Sequence, residues 1–177
     1  MVNFSCISKK SLPNYFDSGY KWYSISIVTW RKDSTFKVKI PVPALENSMC
    51  NIEGVSELAQ LLKLTKLIIW GEAPMAHKFC FEALDRTLRD ILSNDQIFGG
   101  KVIVFGGDFR QILPVIPGGN RSDIVHASIN SSYIWDSCEV LTLTKNMRLQ
   151  QNPMSPNSQE LKDFSEWLLK VGEGKLS

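Results

Sequence analysis

Three short apolar runs constrain the fold of this 177-residue chain more than any other feature. They lie at positions 66–70, 102–105 and 140–143, and a polar string follows each one. The connections between them are long enough for crossover helices. Near-continuous apolar strands joined by helices imply a parallel sheet covered on both faces. Such a sheet places ligand chemistry just past the carboxyl ends of its strands.

Helical periodicity fills the connections. Cys80, Ala83, Leu84, Leu88, Ile91 and Leu92 form one stripe over 77–93, with Glu82, Asp85, Arg86, Arg89 and Asp90 off it. A shorter amphipathic helix follows Gly54, carrying Val55, Leu58, Leu61 and Leu62 on one face, with Asn51 as a candidate cap. Positions 120–137 read as short helices and turns. A last helix over 159–171 turns Leu161, Phe164, Leu168 and Val171 inward. Residues 1–35 are the least regular, with a strand expected over 23–29 and an extended loop at Pro41 and Pro43.

Composition excludes several classes. Hydrophobic residues at 44% and charged residues at 21% are those of a globular chain. No apolar run approaches the ~18 residues of a membrane span. The first ten residues carry no signal-peptide core. The net charge of +2 is unevenly spread, with seven Lys/Arg against two Asp/Glu in residues 1–40. That basic lead favours a polyanion or is simply a solvated segment. Cys6, Cys50, Cys80 and Cys138 form no C-x-x-C pair, so no zinc site is expected and reduced thiols are.

The strand ends hold the candidate chemistry. Glu72 directly follows the first apolar run, where a carboxylate can orient an attacking water. Alone, it reads better as an acid offsetting a helix dipole. Gly106-Gly107 follows the second run and lets the backbone turn sharply beside Asp108 and Gln111. A plain turn with a polar cap is the simpler reading of that string. Arg148 follows the third run, where a guanidinium can neutralise phosphate charge; most arginines are merely surface cations.

Taken together and in order, these strings resemble a known family. Leu67-Ile-Ile-Trp-Gly-Glu-Ala-Pro-Met75, His77-Lys78 with Cys80-Phe-Glu-Ala-Leu-Asp-Arg86, Gly106-Gly-Asp-Phe-Arg-Gln111-Ile-Leu-Pro-Val115 and Leu143-Thr-Lys-Asn-Met-Arg148-Leu149 carry the likeness. They resemble the petite-integration-frequency type of ATP-dependent 5′-to-3′ DNA helicase, of superfamily 1B and its eukaryotic Helitron-related branch. The resemblance runs from about Asp33 to the C-terminus. It implies an α/β fold: an incomplete P-loop NTPase (RecA-like) motor domain with a parallel sheet flanked by helices. Residues 33–177 are then a partial first motor domain, and 1–32 an irregular lead.

The resemblance also implies roles. Glu72 matches the acid that activates water, Gln111 the glutamine that senses the γ-phosphate, Asp108 the acid of the same motif and Arg148 the arginine that reaches the γ-phosphate. Ser34 and Phe36 fall where a strand-contacting motif would lie, Phe36 reading better as a core residue. Mg²⁺ and ATP are the family's cofactors and single-stranded DNA its partner. Repair, recombination and telomere maintenance in the nucleus or mitochondrion are its settings.

Two departures stand out. Gly71 occupies the position of the Mg²⁺-binding Asp, and no G-x-x-x-x-G-K-[ST] string occurs in the 177 residues. One-base-shifted codons for the family's Gly-Ile-Ala-Ser spell Trp-Tyr-Ser-Ile, the string at 22–25. Part of residues 1–32 is therefore expected to be an out-of-frame reading. The alternative to a working helicase piece is a catalytically inactive truncated product that binds DNA or a partner. An unrelated α/β binding module is the third reading, and an uncovered sheet edge and helix face are expected.

Overall fold

The computed structural model describes residues 4–8, 27–30, 38–142 and 158–175. Five strands form one sheet, in the order β2-β3-β4-β1-β5. β2 (Ile27–Trp30), β3 (Leu67–Trp70) and β4 (Val102–Gly107) are parallel neighbours, with Trp30, Trp70 and Phe105 in register. β1 (Phe4–Ser8) lies antiparallel between β4 and β5 (Cys138–Thr142). β5 therefore runs in the same direction as β3 and β4, so all three predicted strands end at one edge. They are not all neighbours, because β1 separates the last two. Both β1 and β2 come from the lead that the sequence marks as irregular; β2 overlaps the end of the strand expected over 23–29.

Burial alternates along the central strands. Ile68, Trp70, Ile103 and Phe105 are buried, and the residues between them are half-buried. Helix α1 (Glu57–Leu64) begins at Ser56, whose Oγ accepts from the Ala59 N–H at 3.3 Å. Ser56 displaces the candidate Asn51 as cap because it stands directly before the first helical turn. Ala59 and Leu62 are buried, whereas Val55 and Leu61 are exposed.

Helix α2 (Lys78–Leu92) is the main cover of the sheet. Phe81 packs against Trp70 at 4.4 Å and edge-on to Phe105 at 5.2 Å between ring centres. Phe98 meets Phe105 from the connection into β4. Glu82 and Asp85 are buried rather than solvated as their place off the apolar stripe suggested. The reason is a second layer: residues 129–137 lie over that side of α2. Ser132 Oγ donates to Glu82 at 2.8 Å. Asp85 accepts from the Phe98 N–H and from Tyr133 Oη at 2.6 Å, and pairs with Arg89 at 2.9 Å. Thr87 Oγ1 accepts from the Cys50 N–H at 2.8 Å.

After the capped helix α3 (Arg121–Ala127) and β5, helix α4 (Ser158–Gly172) completes the described residues. Its apolar face is not turned inward as expected. Leu161, Phe164, Trp167, Leu168 and Val171 are all exposed, as are Val140 and Leu141 on β5. Periodicity correctly predicts the α4 helix but carries no information on whether its face has a partner. Cys50 and Cys80 are free thiols, and burial pushes the Cys50 thiol up to about 11. Cys138 is disulfide-bonded, which corrects the expectation of four reduced thiols. No described helix is long and apolar enough to cross a membrane.

Asp85 ties three segments to one carboxylate, so Asp85→Ala should destabilise the fold by about 3 kcal/mol in urea unfolding, because it strands buried donors. Burial and the Asp85 carboxylate raise the Tyr133 phenol above its ordinary value. A raised folded value favours the protonated phenol, so its stabilisation is complete below about pH 10 and is lost as the pH climbs further. Stability measured between pH 8 and 11.5 should therefore fall more steeply in the parent chain than in Tyr133→Phe.

Candidate functional site

The site lies at the carboxyl edge of β3 and β4. β3 ends at Trp70, and Gly71 leads into Glu72, which adopts φ 57° and ψ 36°. A non-glycine residue in this left-handed region costs about 1–2 kcal/mol. One 3₁₀ turn follows (Ala73–Met75), closed by the Met75 N–H donating to the Glu72 carbonyl at 3.1 Å. Ala73 and Pro74 are buried, while the Glu72 side chain is exposed. The turn is thus anchored from behind and presents its carboxylate to solvent.

The anchor is β4. A Cβ on Gly107 would stand 2.2 Å from Pro74 Cδ and 2.8 Å from its Cγ. Gly107 is needed for this close approach, not for an unusual φ. The ends of β3 and β4 are consequently packed together where Pro74 meets Gly107.

That turn is closed by Asp108. Its buried carboxylate accepts from the Arg110 N–H at 2.9 Å and from Arg110 Nε at 3.1 Å. Its carbonyl accepts from the Gln111 N–H at 3.0 Å. Phe109 packs edge-on to Trp135 with ring centres 6.0 Å apart. Gln111 is left exposed on the tip. Arg110 also reaches 3.9 Å from Glu173, just past α4. Behind Glu72, His77 caps α2, its Nδ1 accepting from the Phe79 N–H at 3.2 Å. Burial and the neighbouring Lys78 pull the His77 pKa below its usual value, which favours the neutral ring that this cap requires.

The structure therefore brings Glu72, Asp108 and Gln111 to one edge. Asp108 braces its own turn through Arg110. Arg148, Ser34 and Phe36 lie outside the described residues, although β5, which leads toward Arg148, ends level with Gly107 through β1. Gly71 has no side chain to offer a cation. Among the described residues, no group of three or more His, Cys, Asp or Glu is gathered for a metal. Sequence reasoning missed Arg110, Glu173 and the Gly107–Pro74 contact. The double glycine was a signal for the last of these; nothing in the sequence marks the pairing of Arg110 with Glu173.

Residues 31–177 match the family model described as PIF1-like helicase, and the chain belongs to that family. It is 30% identical over 105 residues to ATP-dependent DNA helicase RRM3 of Saccharomyces cerevisiae, covering 58% of this chain and 14% of that protein. It is 26% identical over 105 residues to ATP-dependent DNA helicase Pif1 of a Psychrobacter species, covering 59% and 16%. Its fold is similar to that of Pif1 helicase from Bacteroides in complex with ADP-AlF3 and ssDNA, with a TM-score of 0.61 and 16% identity. That likeness covers 90% of this chain and 38% of the Bacteroides chain. The chain accordingly shares the α/β fold of that helicase structure, with a parallel β2-β3-β4 core beside the antiparallel β1.

Gly107→Ala should cost about 1–3 kcal/mol of stability through overpacking against Pro74. Adding Pro74→Ala removes the two clashing carbons and should recover most of the loss. Thermal unfolding of the single and double variants measures both effects.

Proposed function

We propose that this chain is part of the first motor domain of a helicase that couples ATP hydrolysis to 5′-to-3′ movement on single-stranded DNA. The supporting observation is the shared edge to which the packed ends of β3 and β4 bring Glu72 and Gln111. In this reading Glu72 orients the attacking water, Gln111 senses the γ-phosphate and Arg148 approaches the same phosphate. Ser34 and Phe36 fall at the DNA path, where single strands are held by cationic grooves and base stacking, with Phe36 reading better as a core residue beside it. Repair, recombination and telomere maintenance in the nucleus or mitochondrion are the proposed settings of the whole protein. The chain itself spans 14–20% of the length of its curated relatives.

The 177 residues themselves are proposed to be catalytically inactive. Mg²⁺ does not fit the residues present: Gly71 replaces a carboxylate and Asp108 is already engaged by Arg110. The phosphates of ATP need a run of backbone N–H groups at the Glu72 edge. β1 occupies the sheet position between β4 and β5 but runs the wrong way to supply them. Its Ser8 end is level with Cys138, at the opposite edge. A fragment of this kind acts, if at all, by binding DNA or a partner.

Purified chain should show no ATP hydrolysis above background, with or without single-stranded DNA. Gly71→Asp alone should not create any, because it restores a carboxylate and no phosphate cradle. Turnover that disappears in Glu72→Gln would overturn the assignment of inactivity while supporting the role of Glu72.

A further inference from the structure

Arg110 is placed at a junction. Its backbone N–H and Nε both serve Asp108, the residue that closes the Gln111 turn. Its Nη2 lies 3.4 Å from the second Asp108 oxygen. Its Nη1 lies 3.9 Å from Glu173, and a Cβ on Gly172 would stand 3.5 Å from its Cδ. Glu173 is itself held by Lys175 at 2.7 Å, and the Glu173 N–H donates to the Leu169 carbonyl at 3.0 Å. The Arg110 side chain therefore binds the strand-end turn and also reaches Gly172 and Glu173 at the end of α4.

We infer that Arg110 is a positioning residue that couples the end of α4 to the turn presenting Gln111. The chain of contacts is Leu169 carbonyl, Glu173, Arg110, Asp108 and the Gln111 N–H. Each link is a hydrogen bond, an ion pair or a step along the backbone, so displacement of α4 shifts the Gln111 turn. The apolar face of α4 is exposed, and Arg110 joins the end of the helix to the sheet edge. The arrangement gives Asp108 a task distinct from nucleotide contact: it converts the position of a guanidinium into the position of an amide. The functional meaning rests on the proposed role of Gln111 as γ-phosphate sensor, but the coupling is measurable without nucleotide.

The test is amide hydrogen exchange and ¹H–¹⁵N spectra of the full chain. Glu173→Gln leaves Asp108–Arg110 intact and removes the link to α4 together with the Lys175 pair, and Lys175→Gln, which removes that pair alone, is the control. Glu173→Gln should shift the resonances of residues 110–112 and raise exchange at Gln111 about two- to fivefold, as expected for a part-exposed ion pair. In an Arg110→Met background, the same Glu173→Gln change should have no further effect on those amides. That non-additivity distinguishes transmission from two independent losses of stability. Should Arg110→Met fail to fold, Arg110→Lys serves instead: it keeps the charge, loses the fork and should retain only part of the Glu173 effect. Unchanged resonances at 110–112 in Glu173→Gln, or effects that add in full with those of Arg110→Met, would overturn the coupling. Neither outcome depends on ATP, so failure here is separable from failure of the helicase reading.

Discussion

The buried carboxylate of Asp85 is the interaction on which the rest of the structure depends. It sits on α2 with its charge answered by Arg89, by a backbone N–H before β4 and by the Tyr133 hydroxyl before β5. A buried charge is tolerated only when it is paired and hydrogen-bonded. Here the need for partners does structural work, because the partners come from both crossover connections. The carboxylate fixes where the chain must be just before it enters two of the sheet strands. The aromatic cluster of Trp70, Phe81, Phe98 and Phe105 then closes beneath it.

From that fixed layer the site follows by contact. The α2 helix holds β3 and β4, and β4 holds the Glu72 turn through the approach of Gly107 to Pro74. A carboxylate in left-handed backbone persists because both of its flanks are determined elsewhere. The same logic applies at the neighbouring turn, where Asp108 is used up in shaping the loop. The two acids at this edge have different fates: one is exposed and available, the other is internal bracing.

Much of this was legible in the sequence, and the limits have physical causes. The α2 stripe and the two apolar runs around Ile68 and Ile103 encode their own periods, so their elements appear where expected. The common edge for Glu72 and Gln111 follows from strand direction alone. Burial of Glu82 and Asp85 was not legible, since a helix wheel shows the first layer against a helix and not the second. Exposure of Phe164 and Leu168 escaped for the converse reason, as amphipathicity states a preference for cover without providing it. β1 was hidden because Phe-Ser-Cys-Ile-Ser is short and half polar, and nothing local gives its direction. The Arg110–Glu173 contact joins residues far apart in the chain, with no spacing rule to announce it.

The reversed direction of β1 has a consequence for how the chain is assembled. Its partners β4 and β5 lie roughly a hundred or more residues further along, and it must enter between them rather than join at an edge. Closing so long a loop costs about 1 kcal/mol more in chain entropy than the crossover that brings β3 to β4. β1 is therefore the strand whose pairing is most costly in lost chain freedom, and it occupies the slot on which the continuity of the whole sheet depends.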